Sequence, residues 1–192
     1  MSVNQDALFK ISYGLYIVTC KSEEKDNGII VNTVTQVTNT PNRIAVTINK
    51  ENYSHHVIKQ TGRMNINCLS EDAPFKVFET FGFQSGRDVD KFQEMNLTPQ
   101  PSLHINAPGI TESPVNIECK VREIKELGSH HMFIADVLGV SIDDTYMDEK
   151  GKFNLNDTEL ITYSHGEYFL LGKKLGTFGY SVKKNNTKRG RS

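Results

Sequence analysis

The sequence lacks long apolar runs, a strong net charge and closely spaced cysteines. Its 192 residues carry a formal net charge of -1, so we expect neither nucleic acid nor a membrane as a partner. No apolar run approaches the length of a membrane span, and residues 1–6 have no basic region followed by an apolar stretch, so no secretory leader is predicted. The three cysteines, Cys20, Cys68 and Cys119, are far apart in strand-like segments. This pattern predicts reduced core thiols, no metal site and a cytoplasmic location.

Motifs of nucleotide-binding and hydrolytic enzymes are also missing. Gly172, Gly176 and Gly179 have the wrong spacing for a dinucleotide-binding fingerprint, and no Gly-rich loop ends in Lys-Ser or Lys-Thr. The serine within residues 82–86 stands one position late for a hydrolase nucleophile elbow. No histidine pair has the helical spacing of a zinc enzyme. These absences count against a Rossmann-type domain and against a motif-defined hydrolase.

The composition, 37% hydrophobic and 23% charged residues, is that of a folded globular chain. Its length suits one domain, which we place at residues 1–182, followed by a basic flexible tail at residues 183–192. Alternating apolar and polar residues or β-branched runs predict strands at residues 15–21, 32–38, 43–49, 64–68, 115–122, 132–142, 160–163 and 168–171. Residues 132–142 are apolar on both faces, so we expect them in the centre of the sheet.

Short helices are predicted between these strands, at residues 4–13, 53–60 and 74–83. Asp26-Asn27-Gly28 predicts a tight hairpin turn, because Asn-Gly tolerates the positive backbone angles of such turns. Seven or eight strands in hairpin order, with helices as insertions, predict an all-β core with short helices that closes into an antiparallel barrel.

One predicted strand has an unusual polar composition. Residues 32–41 read Asn-Thr-Val-Thr-Gln-Val-Thr-Asn-Thr-Pro, with hydroxyls and side-chain amides on both faces of a β-branched segment. Neither face is apolar enough for a pure core or charged enough for open water. This composition is typical of a strand that lines a polar, uncharged ligand, and a Thr-rich edge strand is the alternative.

Two further segments have the residues to hold a phosphate. Residues 49–56, Asn-Lys-Glu-Asn-Tyr-Ser-His-His, leave a strand and enter a helix, so backbone N–H groups, the Ser54 hydroxyl and Lys50 would converge where anions are favoured. A plain N-cap by Asn52 or Ser54 would need no ligand. Residues 85–92, Ser-Gly-Arg-Asp-Val-Asp-Lys-Phe, bring a hydroxyl, a flexible glycine and two cations into one loop. A solvated charge cluster is the alternative there.

The adjacent histidines His130 and His131 form the third candidate feature. In a strand their side chains would point to opposite sides of the sheet, so at most one of them can face a pocket. A structural role is the alternative for either histidine.

These segments occur together and in order: residues 32–38, 49–55 and 85–92, then Leu-Gly-Ser-His at 127–130. In this combination the chain resembles the flavin reductase-like, FMN-binding split-barrel family. It is most similar to the flavoredoxin group and to the flavin domain that elsewhere is joined to rubredoxin. The resemblance covers residues 7–182, and residues 85–92 are its most specific part.

The resemblance implies a homodimer of six-stranded, Greek-key split barrels with FMN near the dimer interface. The residues implied to bind cofactor fall in three segments. Asn32, Thr33, Val34, Thr35 and Gln36 would run along the flavin ring, and Ser54 would bind the phosphate, with Asn49, Lys50 and Tyr53 nearby. Lys91 would be the lysine of the flavin-binding loop, with Ser85, Gly86 and Phe92 around it. The resemblance also implies that His130 lies where nicotinamide or substrate approaches the flavin. Ser129 stands where relatives usually have aspartate.

The resulting functional hypothesis is an NAD(P)H-dependent flavin reductase that transfers hydride from NADH or NADPH to FMN and on to an acceptor. Uncharged donors suit the flavin ring and cations suit its phosphate, and no dedicated acid or base is required because the flavin supplies the reactivity. An FMN electron carrier that exchanges electrons with a protein such as rubredoxin is the second hypothesis. A non-redox ligand-binding barrel is the third.

Overall fold

The computed structural model describes residues 5–153 and 158–176. The predicted basic tail at residues 183–192 lies outside these ranges. In chain order the strands are β1 (Tyr13–Gly14), β2 (Tyr16–Lys21), β3 (Asp26–Val31), β4 (Val34–Asn39), β5 (Asn42–Asn49), β6 (Arg63–Cys68), β7 (Pro99–Gln100), β8 (Gly109–Ile110), β9 (Val115–Leu127), β10 (His130–Ile142), β11 (Ile161–Ser164) and β12 (Glu167–Leu170). The α-helices are α1 (Tyr53–Thr61), α2 (Lys76–Phe83) and α3 (Lys91–Met95), and short 3-10 helices span Gln5–Lys10 and Asp144–Tyr146.

The main sheet has seven antiparallel strands in the order β3-β2-β6-β9-β10-β5-β4. Strand β10 pairs with β9 on one side and β5 on the other, so its predicted central position is confirmed. The predicted mostly-β core with few helices is likewise confirmed. Among the described residues no ladder joins the two edge strands, β3 and β4, and closure of the barrel stays a prediction.

Two apolar clusters hold the helices against this sheet. The first lies under α1, where Val57 and Ile58 pack with sheet residues such as Ile66 and Phe133. The helix is capped at its C-terminus by Gly62, whose N–H donates to the Ile58 carbonyl (2.9 Å). The second cluster lies under α2 and α3 and includes Val77, Phe78, Phe81 and Phe92. Ile29 of β3 belongs to the first cluster and Ile30 packs against the second, so α1 and α2 lie on opposite faces of this edge strand. The first turn of α1 and the end of α2 come together beside β3, where they line one cavity.

Strands β1, β11 and β12 form a separate three-stranded sheet, and β7 pairs with β8. All three cysteines are buried and free, as predicted.

The predicted turn at Asp26-Asn27-Gly28 is wrong, because these residues begin β3 and pair with β2. The turn between β2 and β3 lies at residues 22–25, where the Ser22 N–H donates to the Lys25 carbonyl (3.0 Å). Gly28 is required for packing instead, since a Cβ atom there would lie 2.9 Å from the Phe81 ring on α2. Tertiary contact has overridden the local turn propensity.

Two other predicted elements need correction. The first described segment is a 3-10 helix at Gln5–Lys10 rather than an α-helix through residue 13. Leu8 of this helix and Ile11, which follows it, are exposed, so no buried face stabilises a longer helix. The predicted loop at residues 85–92 ends inside α3, because Lys91 and Phe92 are the first residues of that helix.

Candidate functional site

A cavity of about 190 Å³ lies between the first turn of α1 and the segment that follows α2. Five of the predicted site residues line it: Tyr53, Ser54, Ser85, Gly86 and Lys91. The remaining lining residues are Ile29, Glu51, Asn52, Phe81, Gly82, Phe83, Gln84 and Arg87.

Lys91 supplies a buried positive charge to this cavity. The residue is 3% exposed, and its ammonium donates to the carbonyl oxygens of Gly28 (2.9 Å) and Phe81 (3.4 Å). In the described part of the chain it forms no ion pair with a carboxylate. Burial lowers the pKa of Lys91 to about 8 and raises the pKa of the neighbouring Cys20 thiol to about 12, so the thiol provides no negative charge at neutral pH. An unneutralised buried cation is a costly arrangement unless an anion binds to it.

The N-terminus of α1 faces the same cavity. Asn52 occupies the N-cap position without a side-chain cap hydrogen bond, and the Ser54 hydroxyl accepts from the Asn27 amide (2.8 Å) instead. The alternative of a plain N-cap by either residue therefore does not describe this helix. Its first backbone N–H groups and the positive end of its dipole favour an anion here.

The segment after α2 covers the opposite side of the cavity. Its Ser85 hydroxyl accepts from the Arg87 N–H (3.2 Å), and the Arg87 guanidinium lies 5.3 Å from the centroid of the Tyr53 ring. Asp90 caps α3 by accepting from the Gln93 N–H (3.1 Å). Residues 85–92 therefore do not form a fully solvated charge cluster, because Lys91 is buried and Asp90 caps a helix.

The polar strand β4 lies at the edge of the main sheet, beside β5. Thr33, just before it, donates its hydroxyl proton to the Thr47 carbonyl (2.6 Å), and the Gln36 amide donates to the Asn42 side chain (3.0 Å). Thr35 and Gln36 are exposed, while Asn32 and Val34 are partly buried. The segment offers neutral polar groups at an open sheet edge. It also fits the alternative interpretation, a Thr-rich edge strand without a ligand.

His130 lies at the far side of β5 from β4, where it pairs with Asn49. The Ser129 hydroxyl is 2.8 Å from His130 Nδ1, so serine takes the hydrogen-bonding position beside this ring. The backbone N–H of Lys50 donates to the Ser129 carbonyl (3.1 Å), which ties the β5 end to the β9–β10 turn. His131 points to the other side of the sheet and is buried, as the alternation predicts.

The residues around His130 and the residues of the anion-binding cavity approach each other along the chain at the end of β5. Asn49 ends that strand and Tyr53 begins α1, so only three residues separate the histidine side from the anion-binding side. A buried cation, a hydroxyl and an uncapped helix N-terminus fit a phosphate group, and the neutral edge of β4 fits an uncharged polar ring. The chemistry of the residues present therefore fits FMN, which combines a dianionic phosphate with an uncharged polar ring.

The model of the flavin reductase like domain family matches residues 8–171. The chain belongs to this family.

Named relatives are similar to this chain in sequence or in structure over most of its length. A ferric-chelate reductase (NAD(P)H) of Archaeoglobus fulgidus is 33% identical over 172 residues, which is 88% of this chain and 90% of that protein. The high molecular weight rubredoxin of Moorella thermoacetica is 34% identical over 137 residues, 71% of this chain and 58% of that protein. The structure of flavoredoxin from Desulfovibrio vulgaris (Miyazaki F) superposes with a TM-score of 0.85 at 24% identity, covering 95% of this chain and all of that one. A Shewanella frigidimarina protein described by its split barrel domain has a TM-score of 0.79 at 19% identity, covering 93% and 94% of the chains.

Membership in the flavin reductase-like family confirms the predicted class of protein, a flavin oxidoreductase. None of the helices in the described ranges is long and apolar enough to span a membrane. No group of three or more His, Cys, Asp or Glu side chains in those ranges is arranged to hold a metal ion.

In this member of the family, three predicted site regions lie apart from the phosphate-sized cavity. Phe92 is buried in the cluster under α2 and α3, 6.0 Å from Phe81 between ring centroids. Asn49 and Lys50 lie at the junction beside His130, and residues 32–36 lie at the β4 edge. Sequence reasoning missed Asn27, which it assigned to a turn, and Arg87, which stands within the motif at residues 85–92 but was not selected.

A larger cavity of about 360 Å³ lies on the other side of α2, but it does not fit a phosphate. Its lining is mainly apolar, with Ile17, Leu69, Val77 and Leu97, and it includes no lysine or arginine. We therefore place the candidate site of this flavin reductase-like chain at the smaller cavity, where the chemistry of the side chains matches an anion.

A pair of buried histidines lies between α1 and β10. His55 Nε2 is 2.9 Å from His131 Nδ1, and His131 Nε2 is 3.5 Å from the Glu126 carboxylate. Burial, followed by the charge of His131, lowers the pKa of His55 to about 4. His55 is therefore neutral near pH 7. The contact between the two rings joins α1, which carries Ser54, to β10, which carries His130.

Proposed function

We propose that this chain is an FMN-binding oxidoreductase that uses NADH or NADPH and passes the electrons to an acceptor. The observation that carries the proposal is Lys91, a buried ammonium that has no carboxylate partner within residues 5–153 and 158–176 and that lines one cavity with Ser54 at the N-terminus of α1. When bound, FMN would supply the chemistry for hydride transfer from the nicotinamide and for electron transfer to the acceptor. The protein's part is to hold the flavin, to present its ring to the nicotinamide and to stabilise its charge.

The phosphate of FMN would be held by the ammonium of Lys91, the hydroxyls of Ser54 and Ser85, and the backbone at Gly86, with Tyr53 and Arg87 at the rim. Asn32, Thr33, Val34, Thr35 and Gln36 would follow the flavin ring, and Asn49 and Lys50 would connect the two parts. Neutral donors suit the ring because its pyrimidine edge carries partial negative charge, whereas the dianionic phosphate needs a cation.

The test of this function is anaerobic mixing of FMN-loaded protein with NADH or NADPH in a stopped-flow spectrometer. We expect loss of the flavin absorbance by at least one nicotinamide. A purified protein that neither contains nor takes up flavin would contradict the proposal and favour the non-redox ligand-binding barrel.

His130 is the proposed contact for the nicotinamide or substrate. Replacing His130 with alanine should slow flavin reduction about tenfold, the size of one lost interaction of about 1.4 kcal/mol in the transition state. The dissociation constant of FMN should stay within about twofold, because His130 lies across β5 from the β4 edge and outside the anion-binding cavity.

His56→Ala is the matched control, since His56 is exposed on α1. Both variants are compared by single-turnover reduction and by flavin titration. If His130→Ala instead releases the flavin, His130 is a cofactor ligand and not a residue of the nicotinamide side.

An electron carrier is the second candidate function. It is favoured by the 34% identity with a high molecular weight rubredoxin, and it makes a rubredoxin a candidate partner. The name of the Archaeoglobus fulgidus relative makes ferric chelates candidate acceptors as well. Slow bleaching by both nicotinamides, together with rapid electron exchange with reduced rubredoxin, would select the carrier.

We also propose a homodimer with the flavin near its interface. Phe83, at the rim of the cavity, is 85% exposed, and Phe169 and Leu170 of β12 are exposed as well. An exposed apolar side chain as large as that of Phe83 at the rim of a site is typical of a surface that a partner covers. Sedimentation equilibrium should give twice the chain mass, and a monomer at micromolar concentration would contradict the proposal.

A cytoplasmic location is the last part of the proposal. It is supported by three buried cysteines without disulfide bonds, which suit a reducing compartment. Immunoblotting of cell fractions should find the protein with cytoplasmic markers, and recovery in another fraction would contradict this location.

A further inference from the structure

Asn27 is a buried polar residue directly behind the anion-binding cavity. It lies on β3, opposite Cys20 of β2, and is 1% exposed. Its side chain does not line the cavity but contacts two residues that do, Ser54 and Gly86. An effect of Asn27 on a ligand must therefore pass through these two residues.

The contact with Ser54 determines what the serine can offer to a ligand. Asn27 Nδ2 donates to Ser54 Oγ at 2.8 Å, and the same amide lies 3.9 Å from Cys20 Sγ. A hydroxyl has one proton to donate and two lone pairs that accept. Because one lone pair is occupied by Asn27, the hydroxyl must use its proton elsewhere, and its present neighbour is the Cys20 thiol. Sulfur is a weak acceptor, so an anion in the cavity would take this proton in its place. An anion needs a donor, so the amide prepares Ser54 for a negatively charged ligand.

The contact with Gly86 explains why a glycine stands in this segment. A Cβ atom at position 86 would lie 2.0 Å from Asn27 Oδ1, closer than any real contact allows. The backbone at Gly86 does not require a positive φ, so the glycine is needed for close approach to Asn27 and not for a turn. Asn27 Oδ1 is itself buried without a hydrogen-bond partner among the described residues.

We propose that Asn27 is a positioning residue of the phosphate site: its amide N–H orients the Ser54 hydroxyl as a donor, and its side chain sets the close packing of the segment at Gly86. This inference rests on the proposed binding of FMN. It adds a residue that acts through its neighbours and does not touch the ligand.

The first test compares FMN with riboflavin, which lacks the phosphate. Dissociation constants are measured by quenching of flavin fluorescence for the wild type, Asn27→Ala, Ser54→Ala and the double variant. Asn27→Ala should weaken FMN about tenfold, as expected for loss of one oriented hydrogen bond to a charged group. Riboflavin affinity should change less than about twofold. Adding Asn27→Ala to Ser54→Ala should weaken FMN by less than Asn27→Ala does alone, because only the packing at Gly86 is then lost.

A merely structural role would give a different result. It would weaken both flavins equally and would be additive with Ser54→Ala, and either outcome overturns the inference. If the wild type binds FMN and riboflavin with the same affinity, the phosphate does not contribute to binding. That result would refute the proposed placement of FMN, on which the role of Asn27 depends.

The second test uses Gly86 and remains available if Asn27→Ala folds poorly, as judged by circular dichroism. Gly86→Ala alone should weaken FMN, because its methyl group collides with Asn27. In the Asn27→Gly background the methyl group has room, so Gly86→Ala should raise the dissociation constant of FMN by less than about threefold. An undiminished effect of Gly86→Ala in that background would refute the packing role of Asn27.

Discussion

Replacing Lys91 with methionine is expected to raise the dissociation constant of FMN about 100-fold, which corresponds to about 2.7 kcal/mol. The ammonium is buried and would form charge-assisted hydrogen bonds with a dianion, which are the strong class of such bonds. Riboflavin affinity should change less than about threefold, because its ribityl chain ends in a neutral hydroxyl. Fluorescence titration of the two flavins measures both values.

The same substitution should leave the flavin-free fold almost as stable as before. Methionine removes the hydrogen bonds to the Gly28 and Phe81 carbonyls but also removes the desolvated charge, and these effects oppose each other. We expect the free energy of unfolding in urea to change by less than about 1 kcal/mol. Lys76→Met is the control, since Lys76 is an exposed residue of α2 that pairs with Glu94. An equal loss of affinity for FMN and riboflavin would exclude Lys91 as a phosphate ligand.

Alkaline pH should weaken FMN binding through the same residue. Burial lowers the pKa of Lys91 to about 8, and a bound phosphate dianion would raise it again. Above pH 8 the free protein carries a neutral Lys91, so binding must take up a proton. The dissociation constant should then rise about tenfold per pH unit until the pKa of the complex is reached.

Riboflavin provides the control for this pH dependence, because its affinity should stay constant from pH 7 to 9. The phosphate remains dianionic over this range, since its second pKa is about 6. The stability of the flavin-free protein should move in the opposite direction. The folded pKa lies below the 10.5 of an ordinary lysine, so the unfolded chain binds more protons between these values, and the Lys91 contribution to the free energy of unfolding rises with pH. Lys91→Met removes both effects, and a flat FMN affinity up to pH 10 would contradict the assignment.

The regular elements could be predicted because burial on one side leaves a period in the sequence. Strands β5 and β9 show alternation, and α1 has its apolar residues on one face and ends at a glycine. Helix α3 was missed because five residues are too few to show a helical period. The turn assigned to Asp26-Asn27-Gly28 failed because a favourable local signal was outweighed by packing of Gly28 against Phe81.

The site was predictable only in part, for a similar reason. The motifs at residues 49–56 and 85–92 point to an anion individually, and the fold brings Ser54 and Lys91 to one cavity. That Lys91 is buried could not be read from its residue type, since lysines are usually exposed. The contacts of Asn27 with Ser54 and Gly86 join residues far apart in the chain, and no local pattern records such a contact.

The buried ammonium of Lys91, for which the described part of the chain supplies no carboxylate, also affects the stability of the protein in a cell. A chain that holds this charge without a counterion is less stable than the same chain with FMN, because a ligand that binds only the folded state shifts the folding equilibrium. Newly made chains would therefore be open to proteases until they acquire cofactor, and small differences in stability change steady-state abundance several-fold. The amount of this protein should follow the supply of flavin, so that riboflavin starvation lowers its level without any change in transcription.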